Sequence, residues 1–162
     1  MAFDERIFVG LGANLGDARA TVTDAIANLA RLPGTTLVAT SSLYLSAPVD
    51  AAGADYVNAV VELRSELEPF LLLAHLQEVE QRFGRERPYR HAPRTLDLDL
   101  LSYGLRRIDA PTLTLPHPRM HLRAFVLAPL AELVPEMTLA DGKTVAQALH
   151  TLRDQRIRRL AR

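Results

Sequence analysis

Leu96-Asp97-Leu98-Asp99-Leu100-Leu101-Ser102-Tyr103 sets a leucine at every second position and an aspartate between each pair. In an extended chain successive side chains leave opposite faces, so Leu96, Leu98 and Leu100 enter a core while Asp97 and Asp99 share the other face. Upstream, residues 85–94 hold four arginines, two prolines and a histidine without periodicity, and read as a loop. Before that loop, Glu68-Pro69 opens a helix carrying Leu71, Leu72, Ala74, Leu76, Val79 and Phe83, stopped at Gly84. Further back, residues 56–63 and 35–45 read as strands, joined through the small-residue loop 46–53. Residues 6–12 form a first apolar strand closed by glycines. Asp17 then caps a helix with Val22, Ile26, Leu29 and Leu32 on one face, ended by Pro33-Gly34. The order strand-helix-strand-strand-helix-strand predicts a split βαβ arrangement. That is a ferredoxin-like α+β fold: a largely antiparallel sheet with helices packed on it. Beyond it the sequence predicts a short strand near residues 107–108, additional C-terminal helices over 125–133 and 145–152, and a basic tail at 153–162.

The chain has 162 residues, which suits a single domain spanning 1–162. At 48% hydrophobic and 23% charged residues it has a globular composition. Lys plus Arg and Asp plus Glu each number 19, so the formal net charge is zero, which argues against a protein built to neutralise a long nucleic-acid backbone. Without cysteine, disulfides and thiolate metal sites are excluded. No apolar run approaches the roughly 18 residues of a membrane helix, and the polar N-terminus does not read as a signal peptide. A cytoplasmic protein is the expectation.

Asp97 and Asp99 repel each other on one face unless a cation lies between them or one is protonated. Alone, this pattern is equally the polar side of an amphipathic strand. The preceding loop changes the balance. Arg85, Arg87, Arg90 and Arg94 offer forked donors for phosphate oxygens, and hard carboxylates beside phosphate are a usual setting for magnesium. A cation beside arginines on a closing loop is the equipment of phosphoryl transfer.

The opening Gly10-Leu11-Gly12-Ala13-Asn14-Leu15-Gly16 is neither a dinucleotide fingerprint, which needs glycine where Leu15 stands, nor a P-loop, which needs Gly-Lys-Ser/Thr. It reads as a strand end and tight turn beside the site. His117, between Pro116 and Pro118, sits on a stiffened backbone, and surface decoration competes evenly with function there. Tyr56 and Asn58 share a strand face, where the Asn58 amide offers both a donor and an acceptor to a heterocycle, or to a structural partner. Phe125 is either core or a stacking surface.

Taken together, Pro93 to Asp99, Leu115-Pro116-His117 followed by Arg123-Ala124-Phe125, Asp55 to Ala59 and Gly12 to Gly16 resemble the 6-hydroxymethyl-7,8-dihydropterin pyrophosphokinases of folate biosynthesis. The resemblance runs from about residue 7 to residue 142, in the order that family shows. It implies transfer of the terminal pyrophosphate of ATP to the hydroxymethyl group of a reduced pterin, with release of AMP. It implies two Mg2+ ions held by Asp97 and Asp99, and phosphate contacts from the catalytic loop arginines Arg85 and Arg94. His117 and Arg123 would reach ATP, and Gln77 and Glu80 match nucleotide-side positions. Tyr56 and Asn58 match pterin contacts, Phe125 would stack on the ring, and the backbone at Ala47 and Val49 would line its other side. His91-Ala92 stand where many members carry Trp-Gly, Pro118 replaces a tyrosine, and Ala13 a serine. ATP and the reduced pterin are the expected partners of a monomer, with no nucleic acid and no membrane.

Two other classes fit parts of the pattern. A two-metal phosphodiesterase also uses paired carboxylates but would show more acidic ligands. A ferredoxin-like RNA-binding module needs exposed aromatics and a basic face, against five Phe, four Tyr, no Trp and zero net charge.

Overall fold

The computed structural model describes residues 4–48, 53–84 and 96–161. Its centre is strand β1 (Ile7–Ala13), buried along almost its whole length. The helix α1 (Ala18–Leu29) follows, and the Asp17 carboxylate accepts from the Ala20 N–H at 3.1 Å, the cap expected from the sequence. Next come β2 (Thr35–Thr40) and β3 (Tyr44–Ser46), the long strand β4 (Tyr56–Ser65) and helix α2 (Pro69–Phe83), which starts with proline where the missing N–H costs nothing. Strand β5 (Asp97–Tyr103) and the small hairpin β6 (Ile108–Ala110) and β7 (Leu113–Leu115) lead to helices α3 (Ala124–Leu133) and α4 (Val145–Thr151). A last strand, β8 (Ile157–Arg159), ends the described chain.

Pairing in the main sheet is antiparallel throughout, in the order β5-β1-β4-β3-β8, with β2 beside the C-terminal half of β4 and β3 beside its N-terminal half. The split βαβ core expected from the sequence is present. Odd-numbered residues of β1 (Ile7, Val9, Leu11) pack with Val22, Ala25 and Leu29 of α1 and Leu72, Leu76 and Val79 of α2. On the opposite face Phe8 and Val60 pack with Val126, Leu127 and Leu130 of α3 and with Val145 and Ala148 of α4.

Three details depart from the sequence reading. The strand expected over 35–45 is interrupted at 41–43. There the Ser41 hydroxyl accepts the Val60 N–H that a ladder carbonyl would otherwise take (2.9 Å), and the Ser42 N–H donates to Glu132 on α3 (3.0 Å). In β5 the register shifts: Phe8 opposes Ser102 and Val9 opposes Leu100, so Leu101 is the extra residue of a β-bulge. Leu101 keeps the α3-side face of Asp97 and Asp99, and the shift returns Tyr103 to the α1–α2 core. Finally, the segment expected as a basic tail contains β8, which pairs Ile157, Arg158 and Arg159 with Ser46, Leu45 and Tyr44. Its alternating charges hid a strand that only an available sheet edge could select. Among the described residues no helix is long and apolar enough to cross a membrane.

Candidate active site

On the α3 side of the sheet β1 presents Phe8, Gly10 and Gly12. Gly10 stands between Val60 of β4 and Asp99 of β5, and Gly12 between Asn58 and Asp97. Phe8 fills its end of the face with core. The two glycines leave theirs without side chains, and a cavity of about 270 Å³ opens over them. Asp97 and Asp99 rise along one side of it, and Tyr56 and Asn58 along the other. Ser46, Ala47 and Pro48 form one wall, and Arg123, Phe125 and Val126 at the start of α3 form another. The two-residue rule placed both aspartates on one face, and they share it.

Asn58 is 3% exposed. Its Nδ2 donates to Ser46 Oγ at 2.7 Å and to the Tyr56 carbonyl at 3.4 Å, which directs Oδ1 toward Gly12. Arg123 and Phe125 form a single surface, with the guanidinium carbon 5.5 Å from the ring centroid. His117 stands next to the cavity lining. Its backbone N–H donates to the carbonyl of the bulged Leu101 (2.8 Å), and its Nδ1 accepts from the Arg119 N–H (3.2 Å). An accepting Nδ1 leaves Nε2 as the protonated nitrogen of a neutral ring, a donor suited to an anion. Burial lowers the His117 pKa first, the Arg123 and Arg119 charges add to that, and Asp99 opposes them; the net shift is downward.

Gln77 and Glu80 are on α2, outside the cavity lining. Gln77 is exposed, while Glu80 Oε2 accepts the Leu98 N–H at 2.8 Å, between the two aspartates. Val49, Arg85 and Arg94 lie outside the described residues, as does the His91-Ala92 pair. Sequence reasoning missed Gly10 and Gly12 as a floor and read them only as a strand end. Their period-two spacing, matching that of Asp97 and Asp99, was the available signal. Asn14 and Val60 also line the cavity without having been singled out.

Chemically, the bare floor admits a flat ring against Phe125, with an amide at its edge and a carboxylate pair a short way along the sheet. Among the described residues no group of three or more His, Asp or Glu side chains converges as a metal cage. Two carboxylates nonetheless fit magnesium, which is usually held by one or two of them together with water and substrate phosphates.

Residues 8–135 match the family described as 7,8-dihydro-6-hydroxymethylpterin-pyrophosphokinase (HPPK). The chain is 43% identical over 157 residues to the 2-amino-4-hydroxy-6-hydroxymethyldihydropteridine pyrophosphokinase of Pseudomonas aeruginosa, covering 96% of this chain and 97% of that one. To the protein of the same name in Synechocystis it is 44% identical over 142 residues, covering 87% and 73%. Among solved structures, an HPPK-DHPS in complex with substrates superposes with a TM-score of 0.71 at 11% identity, over 93% of this chain and 44% of that one. A Plasmodium falciparum HPPK-DHPS triple mutant gives 0.72 at 12%, over 91% and 44%. The chain therefore spans less than half of those longer proteins, and the likeness to them is one of fold. By sequence along most of its length, this chain belongs to the 7,8-dihydro-6-hydroxymethylpterin-pyrophosphokinase family.

Proposed function

We propose that the cavity over Gly10 and Gly12 is the active site of this pyrophosphokinase. The enzyme transfers pyrophosphate from ATP to the hydroxymethyl group of 6-hydroxymethyl-7,8-dihydropterin, a reaction of folate biosynthesis. The observation that carries the site is the placement of Asp97 and Asp99 beside Asn58 and Phe125 around one cavity. The pterin lies flat over the glycine floor, its face on Phe125 and its edge on Asn58 and Tyr56, with the backbone at Ala47 and Val49 on the other side. Its hydroxymethyl oxygen attacks the β-phosphorus of ATP. A new oxygen–phosphorus bond forms as the bond to the α,β-bridging oxygen breaks, AMP leaves, and the hydroxyl proton passes to solvent. A loose transition state asks mainly for positioning and charge stabilisation, so no general base is assigned.

Asp97 and Asp99 are proposed to hold Mg2+, two ions in all, which when bound offset the triphosphate charge. His117 Nε2–H and Arg123 donate to phosphate oxygens, as do Arg85 and Arg94 from the segment between α2 and β5, and Gln77 and Glu80 stand on the nucleotide side. The working form is proposed as a single-domain cytoplasmic monomer. The test is Asp97→Asn, nearly isosteric and uncharged. AMP formation from ATP, Mg2+ and the pterin alcohol should fall at least about a hundredfold while the thermal melt is kept. Turnover within a few-fold of wild type would remove Asp97 from the metal site.

A further inference from the structure

We infer that Gln155 is a positioning residue for the substrate cavity, its side-chain amide clamping the backbone on both sides of Arg123 and so fixing the Arg123–Phe125 wall. Gln155 Oε1 accepts from the Ala124 N–H at 2.9 Å, and its Nε2 donates to the Leu122 carbonyl at 2.9 Å. Arg123 is the N-cap of α3 in an extended conformation (φ −124°, ψ 108°), and its own side chain makes no cap bond. The first N–H groups of a helix need partners from outside it. Ala124, 2% exposed, obtains one from a residue far along the chain.

This wall needs holding. A second cavity of about 440 Å³, lined by Ser46, Arg119, Arg123, Phe125, Gln155 and Arg156 among others, lies along the same segment. Arg123 and Phe125 thus border two voids, and only the core contact of Phe125 and its stacking with Arg123 support them there. Gln155 is itself anchored: its N–H donates to the Leu152 carbonyl at 3.0 Å, and two residues later Ile157 pairs with Ser46 in β8 and β3. Ser46 is the residue that receives the Asn58 amide. One C-terminal strap therefore joins two walls of the cavity, at Ser46 and at Arg123. It lies beyond residue 135, within the longer stretch that aligns with the Pseudomonas aeruginosa relative.

The inference rests on the proposal that Arg123 and Phe125 contact substrate, and the test separates the two. In the full chain, Gln155→Met keeps the length and loses both bonds, and Gln155→Glu keeps an acceptor for the Ala124 N–H but has nothing to donate to Leu122. Phe125→Ala tests the wall itself. The readouts are kcat and KM for the pterin alcohol, amide hydrogen exchange at Ala124 and the thermal melt. Gln155→Met should raise KM roughly three- to tenfold with kcat within about twofold, and quicken exchange at Ala124; Gln155→Glu should fall between it and wild type. If Phe125→Ala raises KM and Gln155→Met does not, the positioning role is overturned. A Gln155→Met variant that loses only melting temperature overturns it as well, reducing Gln155 to a stabilising cap. If Phe125→Ala leaves KM unchanged, the wall is not a substrate contact, and the inference falls with that reading.

Discussion

A methyl group at Gly12 would lie 3.2 Å from Asn58 Oδ1 and 3.9 Å from the Tyr56 ring, inside the space a ring would occupy. At Gly10 the same methyl would meet Leu101 at an ordinary 3.6 Å. Neither glycine has a positive φ, so each is there for the room it leaves rather than for an unusual backbone. Gly12→Ala should therefore fold, with a melting temperature within about 4 °C of wild type, a shift that about 1 kcal/mol would produce. Its KM for the pterin alcohol should rise about tenfold, because the Asn58 amide must shift against its bond to Ser46. Steady-state kinetics beside a thermal melt checks this, and an unchanged KM would move the ring away from this floor. Their place in the strand was legible in the sequence. Their role was not, because it depends on which residues flank them on the two neighbouring strands.

The element that carries the aspartates, β5, is the edge strand of the sheet on that side. Outward-pointing N–H groups on an edge have no neighbouring strand to receive them. For Leu98, between Asp97 and Asp99, the Glu80 carboxylate on α2 takes that place. Helix and strand are thus tied at the point where the aspartate pair begins. Glu80→Ala should cost about 1–2 kcal/mol of stability and speed amide exchange at Leu98. It should also lower kcat/KM for ATP severalfold, because the aspartates lose their fixed spacing. Glu80→Gln, which retains an acceptor, should restore most of both. Slow exchange at Leu98 in Glu80→Ala would show that the tie is not what holds the strand. The alternation from Leu96 to Leu100 made β5 readable, whereas the bulge at Leu101 was not, since it appears only in the register against Phe8 and Val9.

Across the molecule, two carboxylates, Glu62 in the interior and Glu132 on the exposed side of α3, fasten that helix and its surroundings to the sheet. Glu62, 4% exposed, accepts from Arg6 Nε at 3.0 Å and Nη2 at 3.1 Å and pairs with Arg64; Arg6 Nη2 also donates to the Leu133 carbonyl at 3.4 Å. Glu132 accepts from the Ser42 backbone N–H (3.0 Å), the Ser42 hydroxyl (3.1 Å) and the Tyr44 hydroxyl. Burial pushes each carboxyl pKa up. For Glu62 the two arginines outweigh it, and for Glu132 Tyr44, Ser42 and the Arg159 charge do, so both stand below their ordinary 4.5. A carboxyl lowered on folding lends stability that is complete above its unfolded pKa and is lost as pH falls through its folded one. The melting temperature should accordingly drop as pH goes from about 5 toward 3. Glu62→Gln with Glu132→Gln should start lower, by about 1–3 kcal/mol at pH 7 for the buried Glu62 and by less than about 1 kcal/mol for the exposed Glu132, and fall less steeply. Parallel melting curves across that range would rule these two groups out as the acid-sensitive fastenings.

The sequence by itself determined the order of strands and helices, the Asp17 cap, the shared face of Asp97 and Asp99, and the motifs that mark the family. Each of these rests on period, on a cap beside its helix, or on residues adjacent in the chain, and local rules reach that far. Tertiary structure alone decided the glycine floor between Asn58 and Asp97, the bulge that redirects Tyr103, and the return of the supposed tail as β8 with Gln155 against α3. Those features exist only where residues distant in sequence meet: an edge, a cavity or an orphan N–H has no partner until the chain has folded around it.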